Sequence, residues 1–230
     1  MAVRVKEHGR IEGVYWVRTE LGEMHLATRN MVRGVSVYGE RLVDHRGVEY
    51  RLWDPHRSKL AAYILKGADS IPLKEGGRIL YLGAGSGTTA SHVSDIVGSD
   101  GQIFCVEFAQ HALRKLVDGL CRDRGNLYPV LADARFPDRY PSFVTKVETI
   151  YCDVAQPDQA RIVGDNARLY LEDGGWALIA FKARSVDVTL DPVKIFRREI
   201  RILEDHGFSV QDFRRLEPFQ TDHAMVLANR

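Results

Sequence analysis

The segment at residues 79–89, Ile-Leu-Tyr-Leu-Gly-Ala-Gly-Ser-Gly-Thr-Thr, constrains the fold more than any other part of this chain. An apolar run ends in three alternating glycines, and two threonines follow. This order predicts a strand, a tight turn and a helix N-terminus, because glycine adopts positive φ freely and lets a ligand approach the backbone. The spacing is one residue shorter than the GxGxxG turn that holds a dinucleotide. A site for a nucleotide-like ligand is one interpretation, and a purely structural turn is the other.

Apolar runs and helical patterns alternate along the chain after residue 53. The runs predict parallel strands at residues 78–82, 102–106, 127–131, 148–152 and 176–181. Apolar spacing and capping residues predict helices at residues 59–66, 109–121, 158–171 and 191–206. Such alternation is typical of a doubly wound α/β sheet that is covered by helices on both faces. Two final runs, at residues 209–216 and 223–228, predict at least one antiparallel strand at the sheet edge.

The first part of the chain has a different pattern, with short alternating runs between turn residues. These runs predict one hairpin from residues 14–18 and 24–28, a second from 35–38 and 41–43, and a further strand at 48–52. We therefore predict a small antiparallel β domain over residues 1–53, followed by a larger α/β domain over residues 54–230. Domains as small as the first rarely form a stable core alone, so we expect the two to pack together.

Composition excludes several classes of protein. The 230 residues are 45% hydrophobic and contain no apolar run near the roughly 20 residues that span a bilayer. The N-terminus lacks a signal-peptide pattern, so a cytoplasmic location is expected. Cys105, Cys121 and Cys152 have no CxxC spacing, which favours reduced thiols over a metal site or disulfides. A formal net charge of +1 does not indicate strong non-specific binding to nucleic acid, so an RNA-binding role would need a local patch or a partner.

Acidic residues stand at the ends of three successive predicted strands: Glu107, Asp133 and Asp153. Any one of them is compatible with a solvated turn, but ligands of doubly wound folds bind at these strand ends, and three in succession indicate a binding site. Glu107 suits ribose hydroxyls, and Asp133 suits an adenine amino group with the Ala134 backbone amide beside it. Because the turn is not a full phosphate cradle, the pattern favours S-adenosylmethionine over NAD, which carries a pyrophosphate.

The chain resembles the archaeal fibrillarins over nearly its whole length. The motifs that carry this resemblance lie at residues 53–62, 81–89, 106–108, 133–135, 153–157, 182–185 and 217–223. The resemblance implies a Rossmann-like methyltransferase fold that depends on S-adenosylmethionine. Its seven-stranded sheet would be mostly parallel with one antiparallel edge strand, beside the small N-terminal β domain. The glycine/arginine-rich tail of eukaryotic fibrillarins is missing, which places the chain on the archaeal side of the family.

The activity implied by the resemblance is ribose 2′-O-methylation of rRNA and tRNA, directed by box C/D guide RNA within a ribonucleoprotein. The implied partners are the guide RNA, the target rRNA or tRNA, a coiled-coil scaffold protein and a kink-turn-binding homologue of ribosomal proteins. Other classes stay open. One is a methyltransferase that acts on protein, for example on glutamine, or on a small molecule. Another is a ribonucleoprotein subunit without catalytic activity, and a third is an NAD-dependent oxidoreductase.

The catalytic residues implied by the resemblance are Lys59, Asp153, Lys182 and His223. Lys182 would serve as general base toward the ribose hydroxyl, Asp153 would orient it, and Lys59 would hold the target phosphate or the 2′-oxygen. Asp222 is the alternative to His223 as the fourth group. Each residue also has a structural interpretation: Lys182 in a salt bridge with Asp153, Lys59 as a solvated lysine at a helix start, and His223 as a hydrogen-bonded structural histidine.

The predicted cofactor-binding residues belong to the glycine turn and to the strand ends that follow it. They are Gly83, Ala84, Gly85, Thr88, Thr89, Glu107, Phe108, Asp133, Ala134, Asp153 and Gln156. The predicted 191–206 helix adds a basic face of Lys194, Arg197, Arg198 and Arg201, for which a solvated helix surface is the plain interpretation. We expect the opposite face, with Val193, Phe196, Ile200 and Leu203, to turn inward.

Overall fold

The computed structural model describes residues 2–186 and 191–230, which form two sheets. The N-terminal sheet is antiparallel, with strands in the order β1-β2-β3-β5-β4. Its strands are β1 (Arg4–Glu7), β2 (Val14–Arg18), β3 (Met24–Arg29), β4 (Leu42–His45) and β5 (Val48–Trp53).

The second sheet has seven strands. They are β6 (Arg78–Leu82), β7 (Gln102–Glu107), β8 (Leu127–Leu131), β9 (Val147–Cys152), β10 (Leu171–Lys182), β11 (Ser209–Arg215) and β12 (His223–Asn229). The helices are α1 (Lys59–Leu65), α2 (Thr88–Val97), α3 (Gln110–Lys115), α4 (Gln159–Tyr170), α5 (Ala183–Val186) and α6 (Pro192–Asp205). A π-helical segment, Leu116–Cys121, continues α3, and a short 3-10 turn spans Pro137–Arg139. The predicted α/β alternation is confirmed.

The seven strands lie in the order β11-β12-β10-β9-β6-β7-β8. β12 is antiparallel to both of its neighbours, while β6 to β10 pair in parallel. The sequence predicted an antiparallel strand at the edge of the sheet. In the structure this strand is β12, and it lies one position in from the edge. β12 is buried over Ala224 to Ala228, whereas β11 alternates exposed and half-buried residues, so β11 takes the solvent-facing edge.

The N-terminal sheet differs from its prediction in two places. The second hairpin was wrong, because residues 35–38 form a loop around the Glu40 carboxylate instead of a strand. That carboxylate accepts hydrogen bonds from the backbone of Val37 at 2.9 Å and of Tyr38 at 2.8 Å, and so competes with strand pairing. β4 pairs instead with β5 across the turn at Arg46 and Gly47. Strand β1, which the sequence did not predict, pairs with β2.

Alternate residues of the central strand β6 face two cores, as the pleat of a strand requires. Ile79 and Tyr81 pack on one face with residues of α1, α2 and α3. Leu80 and Leu82 pack on the other face with residues of α4 and α6. Trp53, at the end of the N-terminal sheet, belongs to the first core. The separation of residues 1–53 as a domain of their own stays a prediction.

Helix α6 has the predicted amphipathic form: Phe196 and Leu203 of the predicted inward face are buried, and Ile200 is half-buried and packs against the core. Its buried residues are Ile195, Phe196, Glu199 and Leu203, and Val193 is only half-buried. The four predicted basic residues are exposed. A buried glutamate on this face was not expected from the sequence.

The thiol groups of all three cysteines are free. Burial raises the pKa of Cys152 to about 12 and that of Cys121 to about 11. Among the described residues, no helix combines the length and the apolar character needed to cross a membrane.

Buried charges join the N-terminal sheet to helix α2. The Arg51 guanidinium contacts Glu40 at 2.6 Å and Asp95 at 2.9 Å, and Arg124 contacts the other oxygen of Asp95 at 2.6 Å. The side chains of Arg51, Glu40, Asp95 and Arg124 are at most 1% exposed. Thr28, on β3, also donates to Asp95 at 2.7 Å. Asp95 therefore holds the N-terminal sheet to helix α2.

Replacing Asp95 with asparagine should lower the free energy of unfolding by about 3–5 kcal/mol, because the buried Arg124 loses its carboxylate partner and Arg51 keeps only Glu40. Asp69→Asn is the matched control, since Asp69 pairs with Arg10 at a site where its side chain is 74% exposed. The control should lose no more than about 1 kcal/mol. Urea denaturation measures both values, and equal losses would contradict the role assigned to Asp95.

Candidate functional site

A cleft of about 290 Å³ opens at the carboxyl ends of the parallel strands. It lies between β6 and β9. From β6 the chain builds one side of the sheet with β7 and β8, and from β9 it builds the other side, so the strand order reverses between these two strands. Ligands of doubly wound folds usually bind at such a point. The cleft is lined by Gly83, Gly85, Glu107, Phe108, Ala134, Asp153, Val154, Ala155 and Gln156.

The glycine turn packs against the neighbouring strands on both sides. Gly83 has φ +80°, and a Cβ atom at this position would lie 2.8 Å from the carbonyl oxygen of Asp153. The Gly83 amide donates to Val106 on β7 at 2.9 Å. Gly85 has φ +56°, but a Cβ atom there would meet nothing within 4 Å. Gly83 is therefore needed for close packing, whereas Gly85 leaves open space beside the cleft.

Glu107 is held in the cleft by backbone amides. One carboxylate oxygen accepts from Gly85 at 2.9 Å, and the other accepts from Ala109 at 2.8 Å. The residue is only 7% exposed. Each carboxylate oxygen can accept a second hydrogen bond, so the group can receive two neighbouring hydroxyls of a ligand.

Seven of the eleven predicted cofactor residues line the cleft. Within the described part of the chain, Ala84, Thr88, Thr89 and Asp133 lie outside that lining. The Thr89 hydroxyl donates to Ser58 at 3.0 Å. The Arg135 guanidinium, at 2.6 Å from Asp133, holds the pKa of that carboxyl below its usual value. Contacts of these four residues with a cofactor stay predictions.

The loop after β9 supplies two lining residues that the sequence did not single out, Val154 and Ala155. Its Gln156 contributes a buried side-chain oxygen for which the described residues provide no hydrogen-bond donor. Because this residue lines the cleft, the oxygen is available to accept a hydrogen bond from a bound ligand.

An ion pair lies next to the cleft. The Lys59 ammonium is 2.8 Å from one oxygen of Asp153 and 3.0 Å from the other. Lys59 is the first residue of α1, and Ser58 caps that helix by accepting from the Ala61 amide at 3.4 Å. The Ser58 hydroxyl also accepts from Thr89, so α1 and α2 begin at one linked point. Ser58 was missed, although a serine just before a helical pattern is a recognisable N-cap signal.

Burial raises the pKa of Asp153 above its usual value, and the positive charges of Lys59, which also donates a hydrogen bond to it, and of Lys182 oppose this effect. The prediction had paired Asp153 with Lys182. In the structure Asp153 pairs with Lys59, and Lys182 takes part in none of the ion pairs found among the described residues. The purely structural Lys182–Asp153 salt bridge is therefore not what the structure shows.

Strand pairing places Lys182 directly opposite His223. The Nδ1 atom of His223 is 2.6 Å from the carbonyl oxygen of Thr221, and because a carbonyl only accepts, Nδ1 carries the proton. Burial lowers the pKa of His223 below 6.5, so at neutral pH its Nε2 atom is an acceptor. Asp222, the alternative fourth group, accepts from Arg184 at 2.5 Å instead. This geometry favours His223 over Asp222.

The strand order, the glycine turn at the switch point and the buried glutamate define a Rossmann-like protein with a site for a nucleoside-containing ligand. The fibrillarin family model matches residues 5–230. The chain belongs to the fibrillarin family.

A relative from Aeropyrum pernix, named fibrillarin-like rRNA/tRNA 2′-O-methyltransferase, is 53% identical over 226 residues, or 98% of this chain and 97% of the relative. The crystal structure of Aeropyrum pernix fibrillarin with natively bound S-adenosyl-L-methionine is similar with a TM-score of 0.93, at 52% identity, and the match covers 99% of both chains. A fibrillarin in complex with Nop5p has a TM-score of 0.85, at 39% identity, with 98% of this chain and 100% of that chain covered.

Gly83→Ala should destabilise the protein more than Gly85→Ala. Both substitutions place alanine at positive φ, but only the first forces a methyl group against the Asp153 carbonyl. We expect Gly85→Ala to cost about 1 kcal/mol or slightly more and Gly83→Ala to cost at least about 2 kcal/mol more. Chemical denaturation of the two variants measures the difference, and a similar loss in both would contradict the packing role of Gly83.

The ring signals of His223 should titrate with a midpoint below 6.5 in NMR spectra, because burial disfavours the charged imidazole. A His223→Gln variant, in which these signals are missing, assigns them. Since the folded-state pKa is the lower one, stability should decrease as pH falls from 6.5 toward the folded pKa, and the variant should lose part of this pH dependence. A midpoint at or above 6.5 would contradict the effect that we assign to burial.

Proposed function

We propose that this chain transfers a methyl group from S-adenosylmethionine to ribose 2′-hydroxyls of rRNA and tRNA. The observation that supports the proposal most strongly is that the cleft and a cluster of ionisable residues lie side by side at the carboxyl ends of the strands. The cleft with Glu107 lies beside Lys59, Asp153, Lys182 and His223, and Asp153 belongs to both. The proposal is supported by the curated relative, which is named for this activity.

The residues of the cleft fit S-adenosylmethionine. Glu107 can accept hydrogen bonds from the two ribose hydroxyls, and the unpaired oxygen of Gln156 can accept from another N–H or O–H donor of the cofactor. The glycine turn lets the ligand lie against the backbone at Gly85. When bound, the cofactor supplies an electrophilic methyl group on a sulfonium.

The neighbouring cluster suits activation of a hydroxyl. A ribose 2′-hydroxyl becomes an effective nucleophile when its proton is shared with a base, and such help typically contributes about 10²–10⁴-fold. We assign this role to the neutral amine form of Lys182, whose nitrogen can accept the hydroxyl proton and is not held in an ion pair by the described residues. Lys59 stabilises the charge of Asp153, whose pKa burial raises. His223 presents a neutral acceptor atom, Nε2, beside Lys182 in the strand pairing.

The partners follow from charge and from the relatives. With a net charge of only +1, the chain has little general attraction for RNA phosphates. We propose that a coiled-coil scaffold protein binds this chain, in line with the fibrillarin/Nop5p complex. Box C/D guide RNA and a kink-turn-binding protein would then select and position the target. The cytoplasmic location stays a prediction.

A methylation assay with labelled cofactor and a guide–target RNA pair tests this assignment. The chain alone should bind the cofactor, and 2′-O-methylation at one ribose should require the scaffold protein, the kink-turn-binding protein and the guide RNA. Efficient methylation of naked rRNA by the isolated chain would contradict the role of the partners. Methylation of protein or of a metabolite alone, or no methylation by the complete particle, would contradict the proposed function.

Lys182→Met should lower the rate of methyl transfer in the assembled particle by about 10²–10⁴-fold, because the hydroxyl loses its base. Cofactor affinity, measured by calorimetry, should change little, since Lys182 is not among the residues that line the cleft. Lys74→Met is the control, because Lys74 is exposed and precedes β6 at the opposite end of the strand. Full activity of Lys182→Met would exclude the assigned role.

A further inference from the structure

The buried amide of Gln159 connects two segments that carry residues of the site. Gln159 is the first residue of α4 and is fully buried. Its Nε2 group donates to the carbonyl oxygens of Val154 at 2.5 Å and Ala180 at 3.2 Å. Its Oε1 atom accepts from the backbone amide of Lys182 at 3.0 Å. One side chain thus touches the loop after Asp153 and the backbone of Lys182.

These hydrogen bonds lie where backbone pairing between β9 and β10 stops. The last paired residues of the two parallel strands are Cys152 and Ile179. Asp153 on one side and Lys182 on the other follow after that point, although Lys182 still pairs with β12. Beyond the last paired residues, no backbone ladder between β9 and β10 fixes the distance between the described segments that carry Asp153 and Lys182. The Gln159 amide spans the gap.

The three partners also fix the chemical identity of the side chain. Two carbonyl oxygens require a donor, and a backbone N–H requires an acceptor, so only one orientation of an amide satisfies all three. An ionised glutamate would place an acceptor against two carbonyl oxygens. The position of α4, which carries Gln159, is itself secured, because the buried Glu199 of α6 accepts from the Ala160 amide of α4 at 3.1 Å.

We propose that Gln159 is a positioning residue that sets the distance between the Asp153–Val154 segment and Lys182, an assignment that rests on the proposed function. It takes the place of the backbone hydrogen bonds that β9 and β10 lose at their carboxyl ends. Its predicted effect is on methyl transfer itself, since displacement of a reacting group by about 1 Å can cost up to about 10²-fold in rate.

The test compares two buried amides that each make three hydrogen bonds. Gln159→Met removes the amide at the site, and Asn126→Leu removes one that joins Ser94 and Gly98 at the far end of α2. Both variants should unfold at lower temperature. In the assembled particle, kcat at saturating cofactor and RNA should fall by about 10- to 100-fold in Gln159→Met and by less than about 3-fold in Asn126→Leu. Equal kcat values in the two variants would overturn the proposal.

Gln159→Glu adds a readout that lost stability alone does not produce. Its protonated carboxyl can still donate to one carbonyl and accept from the Lys182 amide, whereas the ionised form cannot donate. Relative to the original protein, its kcat should be highest at low pH and should fall as pH rises through the pKa of the new carboxyl. A constant ratio across this range would contradict the proposal.

Hydrogen exchange in the isolated chain gives a test that needs no turnover. The Lys182 amide should exchange faster in Gln159→Met than in Asn126→Leu, because its hydrogen bond to Oε1 is lost. Unchanged exchange would overturn the positioning role even if the particle methylates RNA. If the particle with the original chain fails to methylate ribose while exchange changes as expected, the proposed function is wrong and the structural link stands.

Discussion

The close contact between Gly83 and the carbonyl group of Asp153 is the constraint on which the site depends. With no side chain at Gly83, the turn after β6 and the loop after β9 meet at backbone distance. Glu107 then binds the same turn through the Gly85 amide. The residues that would hold a nucleoside and the carboxylate paired with Lys59 therefore belong to one rigid edge of the sheet. Binding and chemistry are positioned by the same backbone packing.

The N-terminal sheet contributes to this edge from a distance. Asp95 holds Arg51 of that sheet and so fixes α2 against it. The other end of α2 carries Thr89, which donates to Ser58, and Ser58 caps the helix that begins with Lys59. A chain of hydrogen bonds and one buried charge cluster thus connects the small sheet to a proposed catalytic lysine. The small sheet is part of the frame of the site.

Much of the larger sheet could be read from the sequence, because its strands are continuous apolar runs separated by glycines and helical patterns. β6 and β8 have the predicted bounds, and Glu107 lies at the end of β7 and lines the cleft, as its place at a predicted strand end indicated. The errors arose where a side chain replaces backbone pairing. Glu40 turns a predicted strand into a loop, and Gln159 bridges two strands beyond the end of their ladder. Neither residue has a local pattern that reveals such a partner.

The sequence by itself determined the fold class, the glycine turn and the set of polar residues at the strand ends, because these depend on local backbone freedom and on apolar periodicity. Only the tertiary structure decided which of these residues meet. In the structure Asp153 forms an ion pair with Lys59, Asp133 with Arg135, and Asp222 with Arg184. Residues 59 and 153 come from distant parts of the chain, and packing of α1 against the sheet brings their charges within 2.8 Å. Whether two charged residues pair depends on their distance in space, and this distance cannot be read from their separation along the sequence.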